Sequence, residues 1–133
     1  MKNITWDDTL SVEIDEIDED HRKLVDLFNI LSHSVTQGDA PDYIDAVLEE
    51  LISCTIWHFR HEERLMLLYN YEGITDHKAE HNELIDSVRE LQQKFHKENK
   101  QLTNEDIEYL ETWLTEHILG HDMKLGFYLM KVM

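Results

Sequence analysis

Few residues in this sequence cross-link a chain, break a helix or turn a strand. The 133 residues include one cysteine, one proline and four glycines. The lone cysteine, Cys54, cannot form an internal disulfide, so the sequence does not point to an oxidising compartment. An all-β chain needs many tight turns, and therefore more glycine and proline than this one has. The shortage of both residues excludes an all-β fold and favours helices.

Basic residues and long apolar runs are also scarce. Lysine and arginine number 12 against 29 aspartates and glutamates, which gives a formal charge of −17. Nucleic acids and anionic membranes repel such a surface, so we expect neither as a partner. No apolar run approaches the roughly 18 residues of a membrane-spanning helix, and the N-terminal residues lack the apolar core of a signal peptide. With hydrophobic residues at 41% of the chain, the sequence predicts a cytoplasmic globular protein.

Four stretches of helical length carry apolar residues at spacings of three and four. The first follows an acidic turn that starts at Asp18, which suits the N-terminus of a helix. The second opens with Pro41, a residue favoured in the first helical position, and Asp39 is its expected cap. The fourth opens with Thr103 and Asp106 in a capping-box pattern. All four stretches are therefore predicted to be helices.

The connections between these stretches are short, which favours antiparallel neighbours. The sequence therefore predicts an all-α protein whose residues 18–133 form a single domain, an up-down-up-down antiparallel four-helix bundle. Residues 1–17 are expected to form an N-terminal arm. The arm would pack on the bundle through four apolar residues: Trp6, Val12, Ile14 and Ile17.

Polar residues fall on the apolar, inward faces of all four helices. His58 and Glu62 are four residues apart, which puts them on one face of the second helix. His77 and His81 have the same spacing on the third helix. Single histidines continue the buried stripes of the first and fourth helices, at His21 and His117. Burying a carboxylate without a partner costs several kcal/mol, and a bound cation offsets that cost. The pattern predicts a buried site for a transition metal.

Periodicity leaves one ligand of the fourth helix open. His121 lies four residues after His117 and shares its face in an ideal helix, whereas Asp122 lies about 140° around the axis. Gly120 stands between them and weakens the helix, so a bent helix end could bring Asp122 inward. Spacing alone does not choose between the two residues.

In their order along the chain, these motifs resemble those of the hemerythrins, specifically the single-domain bacterial hemerythrins. That family has a histidine on the first helix, HxxxE on the second, HxxxH on the third and HxxxxD on the fourth. The corresponding elements here are His21, HFRHE at 58–62, HKAEH at 77–81 and HILGHD at 117–122. Asp20 departs from the family, which more often has glutamine before the first histidine. This departure adds negative charge near the site and removes no ligand.

The resemblance implies a non-haem di-iron centre, with two iron ions per chain joined by an oxo or hydroxo bridge. It assigns His77, His81 and His117 to one iron, His21 and His58 to the other, and Glu62 and Asp122 to both as bridges. Asp122 is preferred to His121 on this ground alone. Three histidines and three bridges make one iron six-coordinate, whereas two histidines leave the other with an open position where O2 could bind.

Apolar residues are expected around that open position. Phe28, Trp113 and Leu114 would form an O2 pocket that excludes water and slows autoxidation, and the same three residues also suit an ordinary core. His61 is read as an outward or outer-layer residue, and Cys54 as core packing.

The resemblance implies reversible O2 binding, for carriage, storage or local delivery, and no enzymatic activity. Two alternatives stay open: an O2 or redox sensor, and a di-iron oxidase, peroxidase or nitric-oxide-handling enzyme. Five neutral imidazoles and two carboxylates donate less negative charge than the carboxylate-rich di-iron sites of ferritin-like bundles, which disfavours high-valent iron. We expect a monomer, and leave open whether another protein accepts the O2.

Overall fold

The computed structural model describes residues 3–97 and 101–133. Its main elements are α1 (Asp15–Gln37), α2 (Pro41–Leu68), α3 (Ile74–Lys97) and α4 (Asn104–His117), followed by a π-helical turn (Ile118–Asp122) and α5 (Met123–Val132). Helical backbone continues through the π-helical turn, so α4, the turn and α5 together form a continuous helical rod, the fourth of the bundle. α1 packs against α2, and α2 against α3. With no strand in the described residues, the predicted four-helix bundle is confirmed.

α1 begins earlier than the sequence predicts, at Asp15 rather than Asp18. The carbonyl of Ile14 accepts the amide protons of Ile17 and Asp18, at 3.0 and 2.9 Å, and so closes the first turn. Ile17 is completely buried within this turn. Because every residue from 15 to 20 except Ile17 is acidic, the acidic residues indicate the N-terminal end of the helix without indicating its first residue. Ile17 therefore belongs to α1 and not to the arm.

The connection between α1 and α2 differs from the prediction in its cap. Gly38 has φ +68°, a left-handed conformation that glycine adopts without strain. Asp39 donates its amide proton to the carbonyl of Ser34 at 3.0 Å, so it completes the end of α1. α2 does start at Pro41, but its N-cap residue is Ala40 and no side chain caps it. The expectation that Asp39 caps α2 is wrong, because the α1 ending uses that residue.

The fourth rod starts as predicted and then departs from regular α-helix. Thr103 and Asp106 form a reciprocal capping box at the start of α4. After His117 the backbone changes from α to π geometry, in which each hydrogen bond spans five residues instead of four. The turn therefore contains one extra residue. The side chains from Ile118 to Asp122 point in directions different from those they would have in a regular α-helix.

The rods enclose an apolar core that all of them contribute to. Its largest fully buried side chains include Leu24, Phe28, Phe59, Phe95, Leu110 and Leu125. Each such side chain contributes about 1.5–3 kcal/mol through its removal from water. None of the described helices combines the length and the apolar character needed to cross a bilayer.

The N-terminal arm packs on the bundle and hydrogen-bonds to it. Its buried side chains are Ile4, Leu10, Val12 and Ile14, and Trp6 is partly buried with the Arg22 guanidinium 5.2 Å from its ring centre. The carboxylate of Asp18 accepts hydrogen bonds from the hydroxyl of Ser11 at 2.6 Å and the amide of Val12 at 2.9 Å. On the other side, Gly126 of α5 approaches the same stretch so closely that a Cβ there would lie 2.4 Å from the Val12 carbonyl oxygen. Val12 is thus held between α1 and α5.

Candidate metal centre

Seven ionisable side chains meet inside the bundle, and none of them is more than 2% exposed. They are His21 of α1, His58 and Glu62 of α2, His77 and His81 of α3, His117 of α4, and Asp122 of the π-helical turn. These are the seven residues that the family resemblance implies as ligands. The structure brings all of them together.

The seven side chains form two groups of potential metal ligands that share their carboxylates. One group is Glu62, His77, His81, His117 and Asp122, and the other is His21, His58, Glu62 and Asp122. In each group the ligand atoms lie within 4.8 Å of one another. The division of the histidines into three and two is the one that the family resemblance implies.

The group with three histidines faces one oxygen of each carboxylate. Oδ1 of Asp122 lies 2.9 Å from Nε2 of His77 and 3.0 Å from Nε2 of His117. Oε1 of Glu62 lies 3.0 Å from Nε2 of His81. All three imidazoles therefore present the same ring nitrogen, Nε2, to the interior.

The group with two histidines faces the opposite oxygens of the same carboxylates. Oδ2 of Asp122 lies 2.8 Å from Nε2 of His21, and Oε2 of Glu62 lies 3.0 Å from Nε2 of His58. Glu62 and Asp122 each turn one oxygen to each group, which is the arrangement a carboxylate needs to bridge two cations.

Electrostatics inside the cluster keep the carboxylates ionised. Burial by itself would raise the pKa of Glu62, but the surrounding imidazoles, His58 foremost, hold that pKa well below its usual range. Burial would lower the pKa of His58, and the negative charges of Glu62 and Asp20 overcome it and raise this pKa to about 10. The pKa of His77 is raised to about 9 against burial by hydrogen bonds to Asp122 and Glu62. The cluster thus attracts positive charge strongly, whether carried by protons or by a metal.

Unpaired atoms in the cluster test whether a metal fits. Several inward-facing atoms lie close to one another but outside hydrogen-bond geometry, and so are buried without a hydrogen-bond partner: Nε2 of His21, His58 and His117, Oε2 of Glu62 and Oδ2 of Asp122. Such orphaned buried atoms are costly unless something binds them. Imidazole nitrogen and carboxylate oxygen are good ligands for iron, and four-helix bundles hold iron pairs with such residues. The residues present fit a di-iron centre.

An outer layer of carboxylates faces Nδ1 of three of the histidines. Oδ2 of Asp20 lies 2.9 Å from His58, and Oε2 of Glu63 lies 3.0 Å from His81. Oε1 of Glu80 lies 3.2 Å from Nδ1 of His117. Of these three carboxylates, only Asp20 was predicted from the sequence to lie near the site. Glu63 and Glu80 are neighbours of cluster residues in the chain, but this position is also typical of a solvated acidic face, so sequence alone did not separate them.

Phe59 is a second feature that sequence analysis missed. Its ring stacks on the His81 ring with 3.9 Å between centres and 6° between planes. It also meets His117 edge-on, with 5.2 Å between ring centres. Phe59 is completely buried, so it fixes the orientation of both imidazoles from outside the cluster. Its only sequence signal was an apolar residue beside His58.

The π-helical turn places Asp122 inside and His121 outside. Because the turn takes one more residue than an α-helical turn, Asp122 reaches the position that an unbroken helix would give to His121. Asp122 is fully buried in the cluster, whereas the His121 side chain is 40% exposed and contacts Glu80. His121 therefore does not share the inward face of His117, as it would in an unbroken α-helix.

The three expected pocket residues are buried, at 1% exposure for Phe28, 7% for Trp113 and 3% for Leu114. Trp113 lies beside Phe59, with 6.5 Å between the two ring centres. Leu114 lies three residues before His117 on α4. Their burial is compatible with core packing as well as with a pocket wall.

Comparisons with known proteins agree with this architecture. Residues 12–126 match the family model described as the hemerythrin HHE cation binding domain. A bacteriohemerythrin of Pseudomonas paraeruginosa is 34% identical over 122 residues, which cover 92% of this chain and 78% of that protein. A hemerythrin-like protein of Naegleria gruberi is 30% identical over 119 residues, covering 90% of this chain and 87% of that one.

Solved structures agree as well. A crystal structure of wild-type hemerythrin has a TM-score of 0.88 and 28% sequence identity, and the match covers 95% of this chain and 97% of that one. The family match spans all seven buried cluster residues, from His21 to Asp122. The chain therefore belongs to the hemerythrin family, whose members hold a di-iron centre inside a four-helix bundle.

Proposed function

We propose that this protein binds O2 reversibly at a di-iron centre held by the seven buried residues. In this proposal His77, His81 and His117 bind one iron, His21 and His58 bind the other, and Glu62 and Asp122 bridge the pair. The carrying observation is that the two oxygens of each buried carboxylate face different histidine groups. When bound, the iron pair supplies the coordination position and the electrons that O2 binding requires.

The balance of ligands supports binding rather than oxidation of a substrate. The cluster contains five histidines and two carboxylates, so it donates less negative charge than the carboxylate-rich di-iron sites of ferritin-like bundles. Weaker anionic donation disfavours the high oxidation states that oxygenases use. Reversible binding needs no such states.

The remaining buried acids and bases already have structural partners. In the described residues, each buried ionisable side chain outside the cluster is engaged: Asp20 and Glu63 contact cluster imidazoles, and Asp18 holds the arm. No acid–base pair remains free for catalysis in that part of the chain. We infer a binding role and not an enzymatic one.

Phe28, Trp113 and Leu114 are proposed to keep water from the site. Each contributes buried apolar surface, and a dry surrounding protects a metal centre from protons and solvent anions. Leu114 is the residue of the three closest in sequence to a cluster member, His117.

The test is elemental analysis followed by cycles of oxygen exposure. Protein produced in iron-replete medium should contain two irons per chain, and its visible bands should disappear on deoxygenation and return in air over repeated cycles. His77→Ala should lose these bands. His96→Ala is the matched control, because His96 is exposed and paired with Asp45. One zinc per chain, or bands that change once and do not return, would contradict the proposal; the second result favours an oxidase.

A further inference from the structure

Asp20 lies outside the seven-residue cluster and touches it through His58. One carboxylate oxygen, Oδ2, lies 2.9 Å from Nδ1 of His58 and 2.6 Å from Nδ1 of His61. A carboxylate oxygen only accepts hydrogen bonds, so both imidazoles donate from Nδ1. His58 therefore keeps its Nε2 lone pair for the interior, where that atom lies 3.0 Å from Glu62.

The contact joins two helices at the edge of the cluster. Asp20 belongs to α1 and directly precedes His21, whereas His58 and His61 lie on the same side of α2, three residues apart. Asp20 is only 8% exposed, so water competes little for its oxygens. His61 continues the array outward, with its Nε2 3.5 Å from Glu16 and its ring 5.4 Å from the ring of Trp57. The second imidazole thus fixes where Asp20 can lie.

In each histidine group one imidazole has its outer nitrogen, Nδ1, hydrogen-bonded to a carboxylate. In the group of three, Nδ1 of His81 has the carboxylate of Glu63 as its hydrogen-bond partner at 3.0 Å. Nδ1 of His117 lies 3.2 Å from Glu80 but outside hydrogen-bond geometry, and Nδ1 of His77 has no partner among the residues described. In the group of two, Nδ1 of His21 is buried and has no hydrogen-bond partner among the residues described. Asp20 is therefore the one carboxylate that anchors a histidine of that group in the described structure.

We propose that Asp20, held in place by His61, is the positioning residue for His58, and that the iron on the His21–His58 side depends on it. An anchored Nδ1 fixes both the tautomer and the ring orientation, and a negative charge on the anchor makes the imidazole a stronger donor. Loss of the anchor should weaken that iron selectively, and loss of the charge should favour its reduced state. The inference rests on the proposed function, since it takes His58 as an iron ligand.

Three variants separate anchoring from charge. Asp20→Ala removes both, whereas Asp20→Asn keeps a carbonyl oxygen that can accept from both rings and removes only the charge. Glu19→Ala is the matched control, because it removes the same charge from the neighbouring residue. The Glu19 side chain is 67% exposed and lies 3.6 Å from Arg22, away from the cluster. The measurements are the release of iron to a chelator and the midpoint reduction potential of the iron pair.

In Asp20→Ala we expect half of the iron to be bound about 10–100-fold more weakly, which is typical when the anchor of a metal-binding histidine is removed, with the other half unchanged. Asp20→Asn should retain iron better than Asp20→Ala, and both should have a higher midpoint potential than wild type. Glu19→Ala should match wild type in both measurements.

The outcomes distinguish this inference from the function it rests on. A wild-type protein without two irons contradicts the proposed function. Two irons in wild type, with Asp20→Ala equal to Glu19→Ala in iron release and potential, overturns the role of Asp20 alone. If Asp20→Ala does not fold, Asp20→Asn decides: a potential equal to that of wild type overturns the proposal.

Discussion

Glu62 and Asp122 each present both carboxylate oxygens to buried imidazoles, so each side chain serves two groups at once. A carboxamide at either position would keep one oxygen and replace the other with an amide nitrogen, which is a donor only. At the scale of the residue, the cluster therefore depends on carboxylates at these positions more strictly than a single-metal site would.

The ligand on the fourth rod can be tested by paired substitutions. Asp122→Ala removes a fully buried carboxylate that lies 2.8 Å from His21 and 2.9 Å from His77, so we expect loss of the visible bands of the bridged iron pair. His121→Ala removes a half-exposed ring and should keep those bands. Absorption spectra of the two variants in air are the measurement. The opposite pattern would restore His121 as the ligand.

The pocket can be tested at Leu114. Leu114→Ala should leave a cavity that costs roughly 2–5 kcal/mol and admits water and small anions. We expect the protein to bind O2 still, to lose it by autoxidation several-fold faster, and to take up azide faster in the ferric state. Decay of the spectrum in air and stopped-flow azide binding measure these rates. Leu110→Ala, a buried leucine one turn earlier on α4, controls for lost stability; equal rates in both variants would make Leu114 only core.

At the scale of the element, periodicity predicted the helices well and their ends less well. Apolar spacing reports which face is buried, and that is why the four helices and the inward histidines could be predicted. The Thr103 capping box could also be predicted, because both partners are visible three residues apart. The π-helical turn could not be predicted, because its one extra residue does not change the spacing of apolar residues and Gly120 is its only sign in the sequence. Glu63 and Glu80 of the outer carboxylate layer could not be predicted either. In the sequence they are neighbours of cluster residues and resemble ordinary surface charges.

The packing of α5 on the arm predicts that a glycine-to-alanine substitution inside a helix lowers stability instead of raising it. Alanine is favoured over glycine inside a helix by about 1 kcal/mol, so Gly126→Ala should stabilise an isolated α5. Here the added Cβ would lie 2.4 Å from the Val12 carbonyl oxygen and 2.9 Å from its Cβ, and we expect a net loss of about 1–3 kcal/mol from overpacking. Chemical denaturation measures the change. Stability equal to or above that of wild type would show that the arm moves away freely.

At the scale of the whole molecule, we expect folding and metal binding to be coupled. The bundle closes around a layer of ionisable side chains with several unpaired atoms, while the net charge of −17 adds repulsion between its acidic groups. A metal that binds only the folded protein stabilises it, by about 2.7 kcal/mol when present at 100 times its Kd.

Metal removal should therefore destabilise the entire bundle and not only the site. At about 4 °C per kcal/mol for a chain of this size, we expect the Tm to fall by about 10 °C after removal of iron with a reductant and a chelator. Re-addition of ferrous iron under anaerobic conditions should restore it. Thermal unfolding followed by circular dichroism is the measurement. Equal Tm values with and without iron would contradict the coupling.

The π-helical turn has a consequence for the fourth rod as a whole. The rod carries one surplus residue relative to a straight α-helix, and the turn absorbs it locally. His117 and Asp122 then keep the phase that four-residue spacing would give them, and α5 continues in that phase with Leu125 and Leu129 buried. The turn includes Gly120, which is exposed and where an added Cβ would meet nothing within 4 Å. Between His117 and Asp122 the chain thereby has a position at which alanine could replace glycine without contacting the buried cluster or the core.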